Sequence, residues 1–386
     1  MSARSLCVVG AGAIGASVAH HLAASGRRNV LLLDRSGGPG EGSTGKATGG
    51  FRAQFSTAVN VRLSLLARAK LLRLHQETGV DPGYAPAGYL WVARTAHELE
   101  SLRRALDVQR QEGLAEAREV SPEEISRLQP WLHPEGILGG TFSPTDGFIR
   151  PRDILEGYLR GAARHGARIE WDSGVTGMDR DAKGRIVSVT TTRGTVPVEA
   201  VVNAAGAWAA SVAAMAGVDL PVVPLRRQVA ATAPCDLLPP TMPMTIDVGD
   251  GFHFRVRDGR ILLLLPTPGA PGQPYDTQVE PDWIDRVATI AAARVPALRG
   301  VAIDRAACWA GLYEMSPDRH AIVGAAAECP NLVFVNGSSG HGVMHAPALG
   351  QIVAELMNGE TPAVDVSALR PSRFREGAPI EAPELL

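Results

Sequence analysis

Two serines, Ser338 and Ser339, and two histidines, His341 and His345, crowd into the segment GSSGHGVMHAP. Such residues can build a hydrolase nucleophile, a metal site, or a bare stretch of backbone that meets a ligand. A nucleophile elbow requires Gly-x-Ser-x-Gly, which neither GSSGH nor SSGHG supplies, and no acid is placed to orient a histidine. His341 and His345 have helical i, i+4 spacing, but Gly342 lies between them and a third ligand is missing, so no metal is expected. What remains is a loop of small residues opening a helix from about Pro347. Its amides and helix dipole are available to an anionic or electron-rich ligand.

A second constellation opens the chain. Residues 6–34, LCVVGAGAIGASVAHHLAASGRRNVLLLD, read as strand, helix and strand, with Gly10, Gly12 and Gly15 at the first turn. Gly10 permits the tight turn, Gly12 lets the backbone approach a pyrophosphate, and Gly15 lets helix and strand pack closely, while the helix N-terminus supplies unpaired amides. Asp34 closes the second strand, where a carboxylate can accept both hydroxyls of an adenosine ribose. Arg35 beside it leaves a 2′-phosphate open. His20 and His21 sit near the far end of the helix, away from the phosphate.

The elements that must position these residues follow from pattern and composition. With 386 residues and 45% hydrophobic side chains, the chain can bury about two domain cores. A formal charge of -2 leaves no footprint for nucleic acid or an anionic membrane surface, so a small-molecule ligand is expected. Cys7, Cys235, Cys308 and Cys329 form no Cys-x-x-Cys pair, which suits reduced thiols in a cytoplasmic protein. No apolar run reaches the length of a membrane span.

After the second strand the chain enters RSGGPGEGSTGKATGGFR instead of further strand and helix alternation. A nicotinamide enzyme fits this poorly; a loop following an extended cofactor fits better. A long amphipathic helix comes next, then a helix-rich excursion from DPGYAPAG, and a helix and strand within GFIRPRDILEGYLRGAARHGARIEW. GFHFRVRDGRILLLLPT, with its Asp-Gly turn, predicts an antiparallel hairpin, and PTPGAPGQP at 266–274 a surface loop. The expected fold is α/β. A Rossmann-like, cofactor-binding domain is assembled from residues 1–80, 146–218 and 315–386. It is interleaved with an α+β substrate domain on an antiparallel sheet from 81–145 and 219–314.

Five segments, GAGAIGASVAHHLA, GSTGKATGGFR, VVNAAGAWA, SPDRHAIVG and GSSGHGVMHAP, occur in the order found in FAD-dependent amine oxidoreductases. Over nearly its whole length the chain resembles the D-amino-acid oxidase family, in the branch of sarcosine oxidases, glycine oxidase and dye-linked proline dehydrogenases. The resemblance implies that Gly10, Gly12, Ala13, Ile14 and Gly15 hold the pyrophosphate of FAD, with Asp34 and Arg35 beyond. It places Ser43, Thr44, Thr48, Gly49 and Gly50 along the flavin, and adds Val175, Ala205 and Gly206 to the cofactor set. Gly311 and the loop Ser339, Gly340, His341, Gly342, Val343 and Met344 complete it, the loop meeting the pyrimidine edge of the isoalloxazine.

By the same resemblance Arg52, Tyr313 and His341 are the candidate catalytic residues, with Arg52 gripping a substrate carboxylate through a bidentate fork. Read from the residues alone, the alternative for Arg52 is a solvated or structural arginine next to the long helix, though the planar fork favours the carboxylate role; Tyr313 could equally be a core tyrosine, Arg226 and Arg227 could face a cleft or pair with acids, and His253 carries no assigned role. Gly311 occupies the position where monomeric sarcosine oxidases attach flavin to cysteine, Arg152 that of a histidine bearing a second flavin, and Met344 that of a second cation. Non-covalent FAD follows. The implied activity is oxidation of a secondary amine or amino acid by hydride transfer to flavin N5, giving an imine that hydrolyses. Residues 262–265 are all leucine where sarcosine oxidases place a lysine over the ring, so a dehydrogenase is expected, passing electrons to a protein or a second subunit. The alternative is a partner-dependent flavoprotein subunit or assembly factor.

Overall fold

The computed structural model describes residues 4–267 and 273–381, so part of the expected surface loop at 266–274 lies outside the described residues. Strand Ser5–Val9 is buried along its whole length. A strand with no polar alternation must be covered on both faces. Leu6 and Val8 face a core shared with helices Ala13–Ala24, Ala58–Thr78, Pro151–Arg164 and Gly342–Asn358, while Cys7 and Val9 face a second core. Hydrogen bonding orders the main strands as Ile322–Ala326, Cys329–Asn336, Gly194–Asn203, Ser5–Val9, Val30–Leu33 and Arg168–Glu170. All run parallel except the first, which pairs antiparallel with Cys329–Asn336.

The small residues of the first helix are explained by what packs on it. A Cβ on Gly350 would stand 2.1 Å from Ser17 Oγ, and one on Gly161 would stand 2.4 Å from His20 Nδ1. His20 and His21 are therefore packing residues, and burial pulls His20 down to about 4 and holds His21 well below its usual value.

The second sheet has eight strands in the order Trp309–Met315, Val223–Ala231, Arg260–Leu264, His253–Arg257, Met244–Asp247, Tyr89–Ala93, Gly139–Ser143 and Arg118–Val120. Its pairs are antiparallel apart from Met244–Asp247 with Tyr89–Ala93. The hairpin over 253–264 turns at Asp258 and Gly259, whose φ values of 52° and 70° are the left-handed pair a two-residue turn requires. The excursion over 81–145 is helix-rich, with helices Ala96–Gln111 and Pro122–Leu128, and it also supplies three strands of this sheet, YLWVA and GGTFS pairing with partners more than 40 residues away in sequence. Helix Pro281–Arg294 covers the outer face through Trp283, Ile284, Val287 and Ala291.

Candidate functional site

A cavity of about 1870 Å³ opens between the two sheets and takes lining from both. Small-ligand pockets span roughly 300–1,000 Å³, so this one has room for a dinucleotide and a further small molecule. All the candidate cofactor residues named above line it except Gly15, which lies behind. A Cβ on Gly15 would stand 1.8 Å from the Gly10 carbonyl oxygen, so its role is packing the helix onto the turn. Gly10, at φ 103°, is pressed against the Ala204 backbone.

Several loops are tied together at this end. The Ala11 N–H donates to Asp34 Oδ2 at 2.7 Å, and Ser36 donates to Oδ1 through its N–H at 2.8 Å and its hydroxyl at 2.6 Å. Asp34 thus holds the glycine turn while still lining the cavity. The Ala13 N–H donates to Thr44 Oγ1 at 3.0 Å, and Ser43 Oγ donates to the Leu312 carbonyl at 2.6 Å, so the 43–50 segment bridges the first helix and the second sheet. Arg35 stacks its guanidinium 3.6 Å from the centroid of the Trp208 ring.

The C-terminal loop is held from beneath. Ser339 N–H donates to the Glu314 carbonyl at 3.1 Å, Ser316 N–H donates to Ser339 Oγ at 3.1 Å, and Gly340 lies so near Tyr313 that a Cβ would stand 2.4 Å from the ring. The helix begins at Gly342, not near Pro347 as expected; Pro347 sits inside it. Proline favours a first turn, but here the preceding residues already have helical backbone, with the His345 N–H donating to the His341 carbonyl at 3.1 Å. The first-turn residues Gly342, Val343 and Met344 line the cavity, and first-turn amides have no acceptor within their own helix. Burial pushes the Glu314 carboxyl behind this loop up to about 7, only partly offset by bonds from the 336–338 segment. A carboxyl raised that far carries less repelling charge beside the loop near neutral pH than an ordinary glutamate would.

Arg52 is 6% exposed and is set into the wall. Its Nη2 lies 3.2 Å from His341 Nε2, and its guanidinium lies 4.6 Å from the Phe55 ring centroid and 5.0 Å from that of Trp91. The following residues are anchored by buried Asp146, which accepts from the Ala53 N–H at 2.9 Å and the Gln54 N–H at 3.3 Å; burial pushes Asp146 up to about 6. Tyr313 shares the cavity with Arg52, and Arg227 stands 5.6 Å from the Tyr313 ring.

Sequence reasoning missed Lys46, Tyr89, Asp146 and Arg255, left Arg227 between a cleft and an ion pair, and gave His253 no role, whereas Arg227 and His253 both line the cavity. Arg255 Nη1 donates to the carbonyls of Thr48 at 2.7 Å and Gly49 at 3.0 Å, fixing the loop that carries Arg52. His253 Nδ1 donates to the Gly251 carbonyl at 2.8 Å, which leaves Nε2 unprotonated, and burial pulls the ring down to about 4. Tyr89 is buried and pushed up to about 12, its hydroxyl so close that a Cβ on Gly50 would stand 2.2 Å away. The alternation of His253, Arg255 and Arg257 with Phe254 and Val256, which puts the three on one face of the strand, was the available signal for His253 and Arg255. Among the described residues no cluster of His, Cys, Asp or Glu could hold a metal, and no helix is long and apolar enough to cross a membrane.

Residues 5–356 match the family described as DAO, FAD dependent oxidoreductase. The chain is 30% identical over 377 residues to 4-methylaminobutanoate oxidase (formaldehyde-forming) of Paenarthrobacter nicotinovorans, covering 95% of this chain but only 45% of that protein. It therefore spans less than half of that relative's length. It is 29% identical to glycine oxidase of Geobacillus kaustophilus, covering 94% of this chain and 95% of the relative. The solved structure of L-proline dehydrogenase from P. horikoshii superposes with a TM-score of 0.87 at 28% identity, covering 97% of this chain and 98% of the other.

Proposed function

From the premise that the chain belongs to the DAO family of FAD dependent oxidoreductases, we propose that it oxidises a carboxylate-bearing secondary amine or amino acid, sarcosine-, proline- or glycine-like, and does so as a dehydrogenase. The residues present fit the cofactor: a glycine turn opens a helix beside Asp34, and a second helix start faces the same cavity. Bound there, FAD supplies the hydride acceptor for the carbon next to the amine.

The observation that carries the substrate reading is Arg52, a guanidinium recessed in the cavity wall beside His341, with Tyr313 lining the same cavity. It can hold a carboxylate in a bidentate pair, which leaves the amine and its neighbouring carbon free to be oriented. Met244, Ile246 and Leu264 line the same region and exclude water. His253 offers its unprotonated Nε2 as an acceptor for an amine proton.

Arg52→Ala is expected to raise the dissociation constant for carboxylate substrates by the loss of a charge-assisted pair worth about 1.5–3 kcal/mol, with FAD content unchanged, and Arg52→Lys to recover part of it. Anaerobic titration with a panel of amino acids and N-alkyl amino acids, followed by bleaching of the flavin band, checks both the activity and the variant. Unaltered binding in the alanine variant would remove the carboxylate role. No bleaching by any amine, together with a co-purifying subunit, would favour the partner-dependent flavoprotein.

The flavin is proposed to be non-covalent. Among the described residues no cysteine lines the cavity, and Gly311 faces the Lys46 side chain. Acid precipitation is expected to leave all the flavin in the supernatant; a yellow pellet would show a covalent link.

A further inference from the structure

The strand Val223–Ala231 sends two adjacent arginines to opposite sides of the second sheet. Arg226 goes to the outer side, where its Nη1 donates to Asp276 Oδ2 at 2.7 Å and its Nη2 pairs with Glu280. Arg227 goes to the cavity side. The register sets it opposite Gly311, and Gly311, Tyr313 and His253 all line the cavity with it.

Among the described residues Arg227 has a neutral hydrogen-bond partner and no ion pair. Its Nη1 donates to the Thr267 carbonyl at 3.0 Å, a neutral partner, and its other neighbours are the Tyr313 ring and the like-charged Arg319. Among the described residues no carboxylate forms an ion pair with it, although its neighbour Arg226 has two. A half-buried guanidinium without an anion costs stability, and its planar fork matches a carboxylate. Arg52 and Arg227 line one cavity together with Tyr313 and His253, Arg227 at 5.6 Å from the Tyr313 ring and Arg52 at 3.2 Å from His341 Nε2.

Resting on the reading of the cavity as an amine-oxidising site with Arg52 as one anchor, we infer that Arg227 is a second carboxylate anchor and that the preferred substrate is a dicarboxylic amine. One carboxylate satisfies one fork, and two separated forks select a molecule with an acid group on either side of its amine, such as an N-carboxyalkyl amino acid or an amino dicarboxylic acid. Specificity then comes from the monocarboxylate leaving one cation desolvated and unpaired.

The test uses the FAD-bound protein and two unreactive thioethers in which sulfur replaces the amine: thiodiacetate, with two carboxylates, and (methylthio)acetate, with one. Dissociation constants are read from the perturbation of the flavin absorption band. The parent is expected to bind thiodiacetate about tenfold or more tightly than (methylthio)acetate, the worth of one further charge-assisted pair. Arg227→Leu is expected to bring that ratio to about one, and Arg227→Lys to restore part of it. A parent ratio near one, a ratio unchanged in the leucine variant, or loss of FAD from that variant at unchanged melting temperature would overturn the assignment. Anaerobic bleaching by N-methylglycine and by iminodiacetate separates the two levels. Bleaching by the monocarboxylate with no advantage for the dicarboxylate leaves amine oxidation standing and removes the second anchor, whereas bleaching by neither removes the amine reading itself.

Discussion

After anaerobic reduction by its substrate, the protein is expected to be reoxidised by an artificial dye about a thousandfold faster than by oxygen at equal concentration. The reason lies in the strand Arg260–Leu264. Leu262, Leu263, Leu264 and Leu265 are all buried, and Leu264 and Leu265 line the cavity from the strand where the resembling oxidases place a lysine over the ring. A positive charge at a low-dielectric site stabilises the negative charge that builds on oxygen by several kcal/mol, and each 1.36 kcal/mol is about tenfold in rate. The leucines withhold that charge. Lys46 does line the cavity, but it comes from the short helix Ser43–Lys46 outside that sheet, with its side chain against Gly311 and its carbonyl accepting from Trp309 Nε1 at 2.8 Å. Stopped-flow mixing of the reduced protein with air-saturated buffer, and separately with dye, gives the two rates. Equal rates would make this an oxidase and the leucine strand irrelevant to oxygen.

Gly10→Ala is expected to yield protein with essentially no flavin, while Gly12→Ala yields folded protein that binds it weakly. At Gly10 the backbone has φ 103°, and a Cβ would stand 2.4 Å from the Ala204 carbonyl oxygen and 2.9 Å from Ala205 Cα. Those are backbone atoms of the neighbouring strand's end and cannot turn aside, so the turn must move, at a cost of about 1–3 kcal/mol for the dihedral alone. Gly12 has φ −75° and ψ −177°, which alanine adopts freely, and its Cβ would meet only Thr44 Oγ1 at 3.3 Å. What an alanine there disturbs is the approach of a ligand. The ratio of flavin to protein absorbance and the melting temperature, measured with and without added FAD, distinguish the two effects. A Gly12→Ala protein that keeps its full flavin would show that the pyrophosphate does not pass close to this residue.

The parts of this protein legible in its sequence are the local ones. The turn at Gly10, the helix that follows and strand Val30–Leu33 lie within about thirty residues, and their spacing encodes their geometry; the Asp258–Gly259 hairpin is legible for the same reason. The start of the last helix was displaced because proline is a local preference, and helical hydrogen bonding from His341 onward overrode it. The strands within 81–145 were read incompletely because a strand is completed by a partner elsewhere in the chain. The chemistry of the walls was settled only by tertiary structure. Arg226 and Arg227 are neighbours of one residue type, and the pleat together with the distant Asp276 and Glu280 sends one to an ion pair and the other into the cavity. Asp146 supports the segment after Arg52 from 93 residues along the chain, and His341 meets Arg52 across 289. Composition and spacing determine which backbone turns are possible; desolvation and charge pairing depend on what surrounds a group, and most of what surrounds these groups comes from far along the chain.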